Sequence, residues 1–307
     1  MSYTENYQKW LDFAELPAYL HDELVAMDEK TKEDAFYTNL EFGTAGMRGL
    51  IGAGTNRINI YVVRQATEGL AQLIDSKGEE AKKRGVAIAY DSRHFSPEFA
   101  FESAQVLAAH GIKSYVFESL RPTPELSFAV RHLHTFAGIM VTASHNPAPF
   151  NGYKVYGEDG GQMPPADADA LTDYIRAIEN PFTVQLADLE ESKASGLIEV
   201  IGENVDAEYL KEVKGVNINQ DLINEYGRDM KIVYTPLHGT GEMLARRALA
   251  QAGFEAVQVV EAQAVPDPDF STVKSPNPEN QEAFALAEEL GRKVDADVLV
   301  ATDPDAD

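Results

Sequence analysis

The chain has 307 residues, enough for two domains that each bury a core. It carries 50 acidic against 26 basic side chains, a formal net charge of −24 spread along the chain, which argues against general binding to nucleic acid or to an anionic membrane. Its 44% apolar and 25% charged residues exclude disorder as the main state, and the absence of cysteine excludes disulfides, thiolate chemistry and Cys-ligated metals.

Met1 to Lys9 is polar and has no hydrophobic signal core, and apolar runs such as Val86 to Tyr90 and Val298 to Ala301 are too short to span a bilayer. The expectation is a cytoplasmic enzyme with no membrane contact and no obligate protein partner. Phe42 to Gly49 (FGTAGMRG) is glycine-rich with one arginine, Arg48. It is not a Walker A loop, since no Gly-Lys-Ser/Thr follows. Either it is a flexible turn, or its backbone approaches an anion that Arg48 also grips. Ile60 to Ile74 has helical apolar spacing and predicts a core-facing helix. Val86 to Tyr90 predicts a buried strand that stops at Asp91-Ser92-Arg93-His94. Ser96-Pro97 opens a helix running to about Ala109, and Gly111 stops it. Lys113 to Phe117 is the next strand, Thr123 to about Leu133 a helix, and Gly138 to Thr142 a third strand that leads directly into Ser144.

Asn151-Gly152-Tyr153-Lys154 reads as a tight turn followed by a lysine, and Asn180 to Gly202 as an irregular, acidic domain edge. A second unit follows: strand Lys231 to Tyr234, turn Thr235 to Gly241, helix Glu242 to Ala252, strand Ala256 to Val260, a Pro-rich loop Asp267 to Asn280, helix Gln281 to Val294 and strand Val298 to Thr302. The alternation predicts an α/β chain of two domains, 1–205 and 206–307, each a mixed, largely parallel sheet covered by helices. Sites in such sheets lie beyond the carboxyl ends of strands, where Asp91 to His94 and Ser144 to Pro147 both fall.

Asp303, Asp305 and Asp307 alternate in a tight loop after the last strand. Their oxygens can converge on a hard cation, or the loop can be an exposed acidic turn. An EF-hand is disfavoured because a strand, not a helix, precedes the loop. Ser144 is either a reactive serine or a turn residue that caps a helix, and its loop is not the G-x-S-x-G of hydrolases. His145 is adjacent in sequence, which does not by itself make it the base for Ser144. Lys154 can exchange a proton, hold an anion or lie on the surface.

Taken in order, FGTAGMRG, TASHNP (Thr142 to Pro147) with NGYK (Asn151 to Lys154), and DPDAD (Asp303 to Asp307) resemble the alpha-D-phosphohexomutase family. YTPLHGTG (Tyr234 to Gly241) and KSPNPEN (Lys274 to Asn280) support this and are most similar to its bacterial phosphoglucomutase branch. The resemblance implies repeated phosphohexomutase-type domains and a phosphorylated Ser144. It implies interconversion of glucose 1-phosphate and glucose 6-phosphate, hexose phosphates, through glucose 1,6-bisphosphate. It further implies Mg²⁺ held by Asp303, Asp305, Asp307 and an oxygen on Ser144, Lys154 as proton shuttle, Arg48 as electrostatic support, and His145 near the substrate. His238 either borders the cleft or packs its loop.

The family motif continues with an arginine after the third aspartate and is followed by two further domains, so the chain is expected to be C-terminally truncated and poorly active or inactive. The alternatives are a phosphomannomutase of the same family, a Mg²⁺-dependent phosphatase with an aspartate nucleophile, and a non-catalytic sugar-phosphate- or metal-binding protein.

Overall fold

The computed structural model describes residues 2–43 and 46–307, so Thr44 and Ala45 of the glycine-rich segment lie outside the described residues. Three short helices come first, Tyr3–Leu11, Ala18–Ala26 and Glu29–Phe36. None is predicted from the sequence, because each buries only two residues or fewer on an otherwise polar surface. Their starts are nonetheless chemically marked: Ser2 and Glu5 form a reciprocal capping box, and Asp28 accepts from Thr31 N. Trp10 and Phe36 pack edge to face and join the main core.

The first sheet has six strands: β1 Met47–Leu50, β2 Val86–Tyr90, β3 Ser114–Phe117, β4 Ala137–Val141, β5 Phe150–Tyr156 and β6 Ile198–Ile201. Their spatial order is β1-β5-β4-β2-β3-β6. The pairs β4·β2, β2·β3 and β3·β6 are parallel, while β5 runs antiparallel to β4 and β1 to β5. This is the mixed, largely parallel sheet expected. Every residue of β2 and β4 is buried, as strands covered by helices on both faces require. Helices Ile60–Lys77 and Ser96–Ala109 cover one face, and Thr123–His132 the other.

Two expectations are corrected. Asn151 to Lys154 is not a turn but the middle of β5, where Arg48 of β1 pairs with Gly152. Gly152 permits this: a Cβ there would lie 2.4 Å from the Thr142 carbonyl oxygen. The region 180–202 is not irregular throughout. Helix Leu189–Ala194 and edge strand β6 lie in it, and β6 buries only its two isoleucines, so it carries no continuous apolar run.

The second sheet is three parallel strands, β7 Ile232–Thr235, β8 Val257–Val259 and β9 Val298–Ala301, in the order β8-β7-β9. Helices Gly241–Ala252 and Ala285–Val294 accompany it, and Val233, Val260 and Ala287 form its small core. Helix Glu203–Lys214 joins the two sheets, and the division expected at 205/206 lies within it. Both sides grip this helix. The Arg121 guanidinium forks onto Asp206 at 2.8 and 2.9 Å, and Arg247 forks onto Glu203 at 2.8 and 2.6 Å. Among the described residues, no helix is long and apolar enough to cross a membrane.

Candidate active site

β4 ends at Val141, and the chain turns at once into Thr142-Ala143-Ser144. Ser144 has φ of +52°, a left-handed conformation that a residue with a side chain rarely adopts. The turn is held by side chains from the adjacent strand end. Ser144 N donates to Thr142 Oγ1 at 2.8 Å, and that hydroxyl donates onward to Asp91 Oδ2 at 2.7 Å. Asp91, at the end of β2, also accepts from Ser96 Oγ at 2.8 Å and from Arg93 N at 2.9 Å. Ser96 thus spends its hydroxyl on Asp91 rather than on capping its helix.

The aspartate loop arrives from β9 in the second sheet. Its backbone is seated by the turn after β7: Thr240 N donates to Pro304 O at 2.9 Å, and a Cβ on Gly239 would lie 2.4 Å from Pro304 Cα, so only glycine fits this approach. The loop also docks on the N-terminus of helix Thr123–His132. Thr123 N donates to Asp305 O at 2.9 Å and Thr123 Oγ1 to Asp305 Oδ2 at 2.7 Å. Across the junction, Ser144 Oγ donates to Asp303 Oδ2 at 2.8 Å and Lys154 Nζ to Asp305 Oδ2 at 3.0 Å. Lys154 is buried in mid-strand on β5. Gly46 is pressed against it: Gly46 has φ of +80°, and a Cβ there would fall 2.8 Å from Lys154 Cα.

The carboxylates respond unequally to this crowding. Burial, and then the neighbouring Asp305 charge, push Asp303 up to about 7. Burial also favours the protonated form of Asp305, but the Lys154 ammonium and the bonds from Thr123 and Lys154 outweigh it and hold Asp305 below the usual carboxylate range. Asp307 is raised, by burial and then by Asp305. One oxygen from each of the three lies within 4.8 Å of the others. Asp305 Oδ1 is buried without a hydrogen-bond partner among the described residues. An orphaned carboxylate oxygen among clustered carboxylates fits a hard divalent cation such as Mg²⁺.

The phosphoglucomutase/phosphomannomutase α/β/α domain I model matches residues 39–182, and the corresponding domain II model matches residues 207–307. The chain belongs to this family. It is 42% identical over 277 residues to a phosphoglucomutase of Staphylococcus epidermidis, across 90% of this chain and 49% of that protein. It is 41% identical over 294 residues to the Staphylococcus haemolyticus phosphoglucomutase, across 94% of this chain and 52% of that one. Among solved structures, a putative phosphomannomutase from Thermus thermophilus aligns with a TM-score of 0.71 at 27% identity, over 88% of this chain and 56% of that chain. The chain spans about half the length of the curated relatives it matches.

For a phosphoglucomutase/phosphomannomutase family chain, the four motifs converge unevenly. Ser144, Lys154, Asp303 and Asp305 meet directly, whereas Asp307 lies at the exposed edge with Lys154 Nζ 4.0 Å from its Oδ2. His145 Nδ1 is 3.3 Å from Ser144 Oγ and half-exposed. Arg48 is exposed on β1 and reaches the Ser144 loop through Asn146, donating to its Oδ1 at 3.2 Å. His238 packs its loop: Nδ1 lies 3.0 Å from Val265 O and Nε2 2.7 Å from Thr272 Oγ1, and the residue is buried. The sequence places Asp91 and Arg93 at a site position, beyond a buried strand's carboxyl end, but assigns neither a role, and it does not mark Thr123 as a site residue. Thr123 has no such signal beyond opening a helix.

Proposed function

We propose that this chain carries the phosphoryl-transfer centre of a phosphoglucomutase that interconverts glucose 1-phosphate and glucose 6-phosphate through glucose 1,6-bisphosphate. The observation that carries the reading is the 2.8 Å bond from Ser144 Oγ to Asp303 Oδ2, which joins a strained serine at one strand end to a carboxylate cluster at another, 159 residues away. A nucleophile oriented against clustered hard-cation ligands suits phosphoryl transfer, where positioning and charge neutralisation supply most of the catalysis.

Ser144 Oγ forms the new bond to phosphorus as the bond from phosphorus to the sugar oxygen breaks. The serine proton passes to that sugar oxygen, and Lys154 is the group we assign to exchange it. Asp303 orients the hydroxyl beforehand. Arg48 and His145 flank the serine and stabilise the phosphoryl oxygens. Asp303, Asp305, Asp307 and an oxygen on Ser144 would hold Mg²⁺, which when bound would supply charge neutralisation for the phosphoryl group. The cytoplasm is the expected compartment. Because the chain spans about half the length of its relatives, we further propose that it accepts phosphate but turns over hexose phosphates slowly by itself.

The test is intact mass after incubation with Mg²⁺ and glucose 1,6-bisphosphate, followed by peptide mapping. One added phosphoryl group on Ser144, absent in Ser144→Ala, is the expected result. Label on Asp303 would instead support an aspartyl phosphatase, and no label would support a binding protein. The Thermus neighbour bears a phosphomannomutase name, so a mannose reading is tested in the same assay with mannose 1,6-bisphosphate. Faster labelling from the glucose compound is expected.

A further inference from the structure

Beneath the Ser144 loop lies a guanidinium to which the proposed reaction assigns no role. The Arg93 side chain is fully buried, as is that of its ionic partner Asp91, whose Oδ2 is 3.2 Å from Arg93 Nε. That contact is ionic rather than an aligned hydrogen bond, since Nε has no hydrogen-bond partner among the described residues. The two terminal nitrogens are fully used. Nη1 donates to Pro147 O at 3.0 Å and to Phe150 O at 2.9 Å, while Nη2 donates to Ser144 O at 2.6 Å and to Asn146 O. Three of the four acceptors are main-chain carbonyls of the loop between β4 and β5 and the fourth is that of Phe150, which opens β5, and the loop carries the catalytic candidate near its start.

A buried arginine is a costly way to fill a core, so its presence needs a local reason. Here the reason is geometric. The loop folds tightly on itself, with Asn146 N donating to Ala143 O and Phe150 N to Pro147 O, and this turns four carbonyls toward one interior point. Without a forked cation there, those oxygens would be left without partners, and buried polar groups without partners are destabilising. Ser144 at φ of +52° would then be free to relax out of its disfavoured left-handed conformation, which would swing Oγ away from Asp303. The second sheet's loops close the site from the other side. Phe270, buried and itself at φ of +49°, lays its ring 4.9 Å from the guanidinium carbon, and the neighbouring His94 meets Asp269 at 2.8 Å.

We propose that Arg93 is a positioning residue that locks Ser144 in its transfer-ready backbone conformation through these four carbonyls, with the Phe270 ring shielding the lock from water. This rests on the phosphoserine reading and deepens it. Lysine keeps the charge but cannot serve four acceptors from two directions. Arg93→Lys and Phe270→Leu are the test variants, each followed by the time course of phosphate uptake from glucose 1,6-bisphosphate and by amide hydrogen exchange over residues 143–150.

For Arg93→Lys, the uptake rate constant at saturating bisphosphate falls roughly tenfold to a hundredfold, as misplacement of a reacting group by about 1 Å produces. The half-saturating concentration changes by less than about threefold. A residue serving only stability would lower the amplitude, the folded fraction, and leave the rate constant unchanged. Phe270→Leu shows the same rate effect in milder form, and both variants exchange faster in the loop. An unchanged rate constant and unchanged exchange in folded Arg93→Lys would overturn the proposal. If Arg93→Lys does not fold, Phe270→Leu decides by the same two readouts. If the wild-type chain takes up no phosphate, the phosphoserine reading fails, and loop exchange alone then decides whether Arg93 holds the loop.

Discussion

At Asp305 one carboxylate packs its loop and, in the proposed site, also offers an oxygen to a cation. Its Oδ2 takes bonds from Thr123 and Lys154, which seat the loop against helix Thr123–His132 and β5. Its Oδ1 is buried and, among the described residues, unpartnered, which leaves it for a cation. Asparagine has nearly the same shape but lacks the charge. Asp305→Asn is therefore expected to stay folded and to weaken Mg²⁺ binding by about tenfold or more. Calorimetric titration with Mg²⁺ checks this, and wild-type affinity in the variant would remove Asp305 from the ligand set. Residue types were legible here: three alternating aspartates, a serine and a lysine are visible in the chain itself. Their pairings were not, because hydrogen bonds between residues 144 and 303 or 154 and 305 depend on how two sheets meet.

At the scale of elements, helices Ile60–Lys77 and Ser96–Ala109 are pinned by one histidine. His110, just past the second helix, lies between two carboxylates of the first, with Nε2 3.0 Å from Glu68 and Nδ1 2.7 Å from Asp75. The Glu68 bond, then that from Asp75, outweigh burial and raise His110 from 6.5 to about 9. Because the folded value lies above the unfolded one, the stabilisation is fully present below pH 6.5 and is lost as pH rises towards about 9. His110→Gln should cost about 2 kcal/mol at acidic pH, an amount reduced for the partial exposure of the three groups. The cost should shrink toward zero above pH 9, the upper end of this window. Urea unfolding at the two extremes checks it, and a pH-independent difference would assign the loss to packing instead. The strands β2 and β4 were legible as apolar runs between turn signals. β5 was not, because its NGYK stretch combines a turn dipeptide with a charged residue. Only pairing with β1 and β4 makes it a strand.

For the molecule as a whole, the site exists only where the two sheets meet. Contacts across that junction include Ser144 with Asp303, Lys154 and Thr123 with Asp305, His94 with Asp269 and Arg93 with the Phe270 ring. In the proposed mutase reaction such an arrangement would carry the phosphoryl group, but returning the bisphosphate's other phosphate would require the sugar to turn around while held. With about half the length of its curated relatives, the 307-residue chain is expected to take up phosphate at Ser144 yet convert glucose 1-phosphate at well under a hundredth, on the order of 10⁻³, of a full-length relative's rate. A coupled assay for glucose 6-phosphate formation checks this, and comparable turnover would overturn it. The amino-acid sequence by itself determined the alternation of strands and helices, the family and the chemical types at the site. Those follow from local periodicity and from motifs contiguous in the chain. The tertiary structure alone decided that Lys154 lies in a strand facing Asp305, that His238 packs its loop, and that Arg93 sits under Ser144. Each depends on backbone carbonyls and side chains made adjacent by sheet register, and no local pattern encodes that register.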